Sequence, residues 1–232
     1  MGNVPSQKRI KLIIFDANKV IYDLKNAFKY FNPAFANFLK SHGVTDIGNV
    51  SKSWGEFSKA TELGKMTIQE AHRQYLSKVG IPEIYLNEYE KLDSEAFKKA
   101  ELTEPNLRET LSKLKNDGYK LAILSDTGRT PADLDVMFKY LNIYGIFDKI
   151  FVSSEIHHKK PDKESYQAVM DYFSYKPNEV VFIGHDEEEL TGAKNLGIKT
   201  ISYKGDPVGD VLIQKFSEIP ESVSKLQYSD LL

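Results

Sequence analysis

From residue 119 to residue 203 short apolar runs alternate with helix-length segments, and this alternation constrains the fold more than any other feature of the chain. Tyr119-Lys120-Leu121-Ala122-Ile123-Leu124, Lys149–Val152, Val180-Val181-Phe182-Ile183 and Ile198–Tyr203 read as buried strands, the first ending at Ser125 and the last being the final strand. Helical stretches are expected over 105–116, 131–141, 162–173 and 188–196, with stops at Asn116-Asp117-Gly118 and at Gly197. Strands separated by helices pair in parallel, and right-handed crossovers then lay helices on both faces of one sheet. The expectation is an α/β protein with a doubly wound parallel sheet. Its strands end along a common edge, where open α/β sheets bind ligands.

Leu12-Ile13-Ile14-Phe15 is a further strand, spanning about residues 10–15, and it delivers Asp16 to that edge. Strands near both ends of the chain make the residues between them an insertion into one domain. The insert holds no alternating strand pattern. Phe28, Phe31, Phe35, Phe38 and Leu39 fall three or four apart, predicting a helix over 24–40 that Pro33 interrupts and Ser41-His42-Gly43 stops. A second helix is expected over 50–63. Thr67-Ile68-Gln69-Glu70 has the form of a capping box opening a helix that ends near Gly80, and Ile81-Pro82 restarts a helix through about Lys99. The expected division is 1–21 with 101–232 as the α/β core and 22–100 as a helical lobe.

At 232 residues the chain suffices for one core plus such a lobe, and 41% hydrophobic with 28% charged residues is ordinary for a globular protein. A formal net charge of −2 gives no global pull toward nucleic acid or an anionic membrane. The absence of cysteine excludes disulfides, thiolate metal sites and thiol catalysis, and is compatible with a reducing cytoplasm. No apolar run approaches the ~18 residues of a membrane span. Met1-Gly2-Asn3-Val4-Pro5-Ser6 fits the permissive N-myristoylation pattern, and residues 1–8 are read as a leader. Nothing in the sequence sets an oligomeric state.

The crossovers bring residues 16, 125, 160 and 184–189 toward one edge, and four segments there resemble the motifs of the haloacid dehalogenase-like (HAD) hydrolase superfamily, in order. Phe15-Asp16-Ala17-Asn18-Lys19-Val20-Ile21 resembles the first, whose leading Asp is the nucleophile. Leu124-Ser125-Asp126-Thr127 resembles the second, where a strand-end hydroxyl holds the transferred group. Lys159-Lys160-Pro161-Asp162 is similar to the third, with its basic residue before Pro-Asp. Phe182-Ile183-Gly184-His185-Asp186-Glu187-Glu188-Glu189-Leu190-Thr191-Gly192-Ala193 is similar to the fourth, an acidic loop running into Gly-Ala. The resemblance implies a Rossmann-like core with a helical cap inserted after the first motif, and Phe31-Asn32-Pro33-Ala34-Phe35 is similar to that cap's opening helix. Two positions depart from the pattern. Asn18 stands where the family has an acid/base Asp, and His185 where the fourth motif has Asp.

Under this resemblance Asp16 attacks phosphorus or an activated carbon and forms a covalent aspartyl intermediate; standing alone, a strand-end Asp would be read as capping the next turn. Asn18 donates a hydrogen bond but delivers no proton at neutral pH. General acid–base help is worth about 10²- to 10⁴-fold, so alkyl phosphates should turn over slowly, and acyl or aryl phosphates should lose less. Ser125, Asp126, Thr127 and Lys160 are the expected phosphate-binding residues, with a hydroxyl from Ser125 and backbone donors from Thr127 and Gly128. Lys160 offsets negative charge beside Asp16; alone, His157-His158-Lys159-Lys160 would be a solvated basic face. Mg²⁺ takes oxygen ligands in octahedral array, and the candidates are Asp16, Asn18 through its backbone carbonyl, Asp186 and Glu189. The other reading of Asp186–Glu189 is acids favouring a helix N-terminus.

The first functional expectation is a Mg²⁺-dependent phosphatase acting on a small phosphorylated metabolite held between core and cap. The second is a metal-independent 2-haloacid dehalogenase, whose family also lacks the second motif-one Asp, although Asn18 is not the Tyr found there. The third is a catalytically impaired relative that acts by binding. Metal dependence separates the first two, and Asp16-dependent turnover separates both from the third. Tyr22, Phe28, Trp54 and Tyr75 are candidates for substrate contact and are read as core before pocket wall.

Overall fold

The computed structural model describes residues 9–45, 47–205 and 207–228, so the Met1-Gly2 pattern and the leader up to residue 8 lie outside the described residues. The strands are β1 (Leu12–Phe15), β2 (Tyr22–Asp23), β3 (Glu101–Leu102), β4 (Lys120–Ser125), β5 (Lys149–Val152), β6 (Val180–Gly184), β7 (Lys199–Tyr203) and β8 (Val211–Ile213). Six of them form one sheet in the order β5-β4-β1-β6-β7-β8, parallel throughout. The helices are α1 (Lys25–Ser41), α2 (Ile47–Glu62), α3 (Ile68–Lys78), α4 (Leu86–Phe97), α5 (Leu107–Asn116), α6 (Pro131–Tyr140), α7 (Ser153–Ile156), α8 (Lys163–Phe173), α9 (Glu187–Asn195) and α10 (Ile219–Tyr228).

Central β1 shows why the sheet is doubly wound. Successive side chains of a strand point to opposite faces. Leu12 and Ile14 accordingly pack with Tyr166 and Val169 of α8 and Leu190 of α9. Ile13 and Phe15 pack on the other side with Leu111 of α5, Phe138 of α6 and Val223 of α10. All four β1 residues are buried, and full burial of each such side chain contributes about 1.5–3 kcal/mol. A continuous apolar run is what a strand covered on both faces requires.

The inserted helices α1–α4 close around their own cluster, in which Phe35, Phe38, Leu39, Tyr75, Leu76 and Tyr89 are buried. Thr67 caps α3, its side chain accepting the Glu70 backbone N–H at 3.1 Å. Gly43 and Gly80 follow α1 and α3 with φ of +82°, the left-handed backbone that ends a helix most cheaply at glycine. Pro33 does not interrupt α1. The helix runs through it, with Phe31 stacked on Phe35 at 5.3 Å between ring centroids, so packing outweighs the lost backbone bond.

The structure departs from expectation elsewhere too. Tyr22–Asp23 and Glu101–Leu102 pair antiparallel at the base of the insert, a ribbon too short to carry an alternation signal. Ile198–Tyr203 does not contain the final strand, because β8 follows β7. The last helix, α10, buries Ile219, Val223 and Leu226 on one face of the core. Among the described residues no helix is long and apolar enough to cross a membrane.

Candidate active site

Phe15 lies opposite Ile123 on one side and Ile183 on the other, so Asp16 emerges at the sheet edge close to Ser125 and Gly184. The Asp16 N–H extends the ladder by one bond, donating to Ile183 O at 2.9 Å. Lys160 arrives from the loop before α8. Its Nζ donates to Asp16 Oδ1 at 2.6 Å and to Leu124 O at 3.2 Å, and stands 3.3 Å from Glu189 Oε2. Asp16 is 6% exposed and Lys160 4%, so this ion pair is in the interior.

A glycine makes that convergence feasible. A Cβ on Gly192 would stand 2.7 Å from Pro161 Cβ and 2.8 Å from Pro161 O, so only glycine lets α9 press against the loop that carries Lys160. Tyr166 ties the same helix down, its hydroxyl donating to Glu189 O at 2.7 Å.

The charges shift one another's ionisation. Burial pushes the Asp16 carboxyl up, but Lys160 and His185 outweigh it and hold Asp16 below the usual carboxylate range. Burial pulls Lys160 down, and Asp16, Glu189 and Asp126 more than reverse it, so the ammonium is held charged. Burial raises Glu189 to about 7; Lys160 opposes this rise, while Asp16 and Asp126 add to it. Asp126 is also pushed up by burial, against Lys160, whose backbone N–H it accepts at 3.2 Å.

His185, half-buried, places Nδ1 3.2 Å from Asp16 Oδ2, so both carboxylate oxygens face nitrogen. Two of the four expected Mg²⁺ ligands are engaged elsewhere. Asp186 is exposed and caps α9, its Oδ1 accepting from the N–H groups of Glu188 (2.9 Å) and Glu189 (3.2 Å). Glu189 is turned to Lys160. Among the described residues no group of three His, Cys, Asp or Glu side chains is placed to hold a metal ion. The helix-terminus reading of the acidic run therefore holds for Asp186, while of the other expected ligands Asp16 and Glu189 both meet Lys160 Nζ.

The turn after β4 also differs in detail. The Thr127 N–H, expected to be free for an anion, donates to Ser153 Oγ at 2.9 Å, and Thr127 Oγ1 accepts the Arg129 N–H at 3.1 Å. Ser125 is buried next to Tyr22, whose phenol is raised to about 12 by burial and by Asp16, with a hydrogen bond from Ser125 opposing.

Above this edge lies a cavity of about 440 Å³, with Asn18, Ser125, Asp126 and Thr127 at its core end. Asn18 Oδ1 is buried there without a hydrogen-bond partner. Tyr22, Phe28, Trp54 and Tyr75 all line it, so these side chains are cavity wall, Tyr22 and Tyr75 being deeply buried as well. Arg129 was not singled out by sequence reasoning, although it lies four residues beyond Ser125. It bonds both oxygens of Asp93 on α4, at 2.9 and 2.7 Å, and its guanidinium sits 4.1 Å from the centre of the Phe97 ring. Lys159 reaches Glu62 of α2 at 2.8 Å, and a Cβ on Gly128 would run into Thr61. These contacts hold the insert against the core.

Comparison with known proteins places this geometry. The sequence profile of haloacid dehalogenase-like hydrolases matches residues 13–203. A pyrophosphatase PpaX of Bacillus mycoides (strain KBAB4) is 27% identical over 124 residues, covering 53% of this chain and 55% of the relative. A second PpaX, of Bacillus cereus (strain ATCC 10987 / NRS 248), is 25% identical with 59% of its length covered. The chain thus aligns with little more than half the length of these curated relatives. In fold it is similar to a 2-haloacid dehalogenase from Pseudomonas syringae pv. Tomato DC3000, with a TM-score of 0.76, 16% identity, and coverage of 93% of this chain and 99% of that one. A putative beta-phosphoglucomutase from Thermotoga maritima gives a TM-score of 0.63 at 19% identity, with coverage of 93% and 99%. With the profile covering most of the chain and the strand-edge constellation in register, this protein belongs to the haloacid dehalogenase-like hydrolase family.

Proposed function

We propose that the protein is a phosphohydrolase that uses Asp16 as nucleophile on a small phosphate monoester, in a reducing cytoplasm, with residues 22–100 as a cap over a core of 1–21 and 101–232. The observation that carries this reading is the buried Asp16 carboxylate, held ionised and bonded by Lys160 at 2.6 Å, next to a cavity whose core end is lined by Asn18 and Ser125. The similarity to proteins named pyrophosphatase supports phosphorus over carbon as the atom attacked.

Lys160 holds Oδ1, and Oδ2, which His185 Nδ1 faces at 3.2 Å, attacks phosphorus as the bond to the leaving oxygen breaks. The leaving group departs as its anion, because Asn18 has no proton to give. Water then attacks the aspartyl phosphate, the bond from phosphorus to Asp16 breaks, and both protons of the water end on the released phosphate. Lys160 and His185 flank Asp16, and Lys160 supplies fixed positive charge where negative charge accumulates. The test is turnover of p-nitrophenyl phosphate and acetyl phosphate, with Mg²⁺ and with EDTA, by the native protein and Asp16→Asn. Asp16-dependent release of phosphate is expected; equal rates in both proteins would refute the reading.

Carbon–halogen hydrolysis on the same Asp16 is the second reading, favoured by the apolar cavity wall. Release of chloride from 2-chloropropionate with no release of phosphate would establish it instead.

A further inference from the structure

Resting on the phosphohydrolase reading of Asp16, we infer that the substrate is the phosphate monoester of an aromatic hydroxyl whose ring carries an uncharged polar group. Pyrophosphate and other substrates with a second anionic group are excluded by the same wall.

The wall of the 440 Å³ cavity beyond Ser125 is built from rings, Phe28, Phe31, Phe35, Trp54, Tyr75 and Tyr89 among them. They already meet one another at stacking and edge distances, Phe31 to Tyr89 at 6.2 Å and Trp54 to Tyr75 at 5.2 Å between centroids. A further ring entering this space finds faces and edges of the kind aromatic groups prefer. The volume lies within the usual range of small-molecule sites, roughly 300–1,000 Å³.

Charge narrows the choice. Among the described residues lining the cavity Arg129 is the one cation, and it is committed to both oxygens of Asp93. Glu62, also on the wall, is held by Lys159. A second phosphate would meet aromatic carbon and no free cation, and an unpaired charge in such surroundings is costly.

His72 supplies the polar contact. It lines the cavity at 3% exposure, and its Nδ1 has no hydrogen-bond partner. Glu90 Oε1, the nearest acid oxygen, is 3.8 Å away and is also unpartnered, too far for a direct bond. Burial pulls His72 down to about 4, with Asp93 opposing, so the ring is neutral at pH 7. A neutral imidazole offers one donor and one acceptor, which suits a hydroxyl or an amide. Asn18 points to the same class from the other end. An aryloxide leaves as a stable anion, whereas an alkoxide needs the proton that Asn18 lacks.

Trp54 is the only tryptophan of the chain and lies on the cavity wall, so its fluorescence reports occupancy without turnover. The native protein is titrated with phenylphosphonate, 4-hydroxyphenylphosphonate, methylphosphonate and methylenediphosphonate. Phenylphosphonate should bind at least about tenfold tighter than methylphosphonate, from burial of its ring. Methylenediphosphonate should bind no tighter than methylphosphonate, and the 4-hydroxyl should add a few-fold that His72→Phe abolishes. Phe28, 57% exposed, is the wall residue whose loss least threatens folding, and Phe28→Ala should weaken phenylphosphonate while sparing methylphosphonate. Methylenediphosphonate binding tighter than phenylphosphonate, or no aryl preference, would overturn the inference. The same preparations are assayed on p-nitrophenyl phosphate against Asp16→Asn. Asp16-dependent turnover with the wrong binding order removes the substrate class alone, whereas its absence removes the phosphohydrolase reading and this inference together.

Discussion

Lys160 Nζ and Asp16 Oδ1 are 2.6 Å apart across 144 residues of chain, and neither side chain reaches solvent to any extent. A buried ion pair is tolerated because each charge satisfies the other, and removing one partner leaves the other stranded. Lys160→Met is therefore expected to lower stability by about 3–5 kcal/mol, read by urea or thermal unfolding. In whatever fraction stays folded, phosphate release should fall by about 10²-fold or more, because the loss of charge at the reacting centre adds to the loss of stability. A variant as stable and as active as the native protein would show that the pair is incidental.

Asn18→Asp restores a side chain that can carry a proton two residues beyond the nucleophile. Asn18 Oδ1 is buried without a partner at the core end of the cavity, and an acid of the same shape keeps the side chain's volume there. Turnover of alkyl phosphates should rise, by up to about 10²- to 10⁴-fold if proton transfer limits the native enzyme. Aryl phosphates should change far less. Parallel kcat/KM measurements on p-nitrophenyl phosphate and glycerol phosphate check the contrast, and an equal effect on both would place the limitation elsewhere.

The convergence of Asp16, Ser125 and Lys160 was legible because parallel strands end on one edge, and strands as apolar as Leu12–Phe15 and Val180–Ile183 identify themselves. The fate of Asp186 was legible as one of two readings, and its two backbone hydrogen bonds decide for the cap. The cavity wall was not legible. Whether Phe28 or Trp54 faces core or cavity depends on how α1–α4 rotate against each other and against the Gly128 turn, and helical spacing names a face without naming its neighbour. The Arg129–Asp93 clamp joins residues 36 apart in separate elements, with no local pattern to announce it. By contrast α10 was open to reading, since Ile219, Val223 and Leu226 keep helical spacing.

His185 Nδ1 stands 3.2 Å from Asp16 Oδ2, where a second carboxylate would help hold a cation. Native turnover is expected to be unchanged by EDTA. His185→Asp would place two carboxylates side by side near Lys160 and Glu189, and an added divalent ion is the direct way to relieve their repulsion. Titration with Mn²⁺ followed by electron paramagnetic resonance should show a saturable site in the variant and none in the native protein. A saturable native site would restore Mg²⁺ to the reaction.

His72 should leave a signature in the pH dependence of stability. Burial, opposed by Asp93, lowers its value from 6.5 to about 4 in the folded protein, while the unfolded chain keeps the ordinary value. Between those two values the unfolded chain binds a proton that the folded one refuses, so stability falls as pH drops through this window and is fully present above it. The whole effect amounts to about 3 kcal/mol, at 1.36 kcal/mol per pH unit of difference. Glu189, raised to about 7, overlaps the upper end of this window, so the informative quantity is the difference between the native protein and His72→Gln. Urea unfolding from pH 7.5 to 4.5 should show a slope in the native protein that the variant lacks. Parallel slopes would mean that the imidazole is protonated in place, with Glu90, 3.8 Å from Nδ1, as its counter-charge.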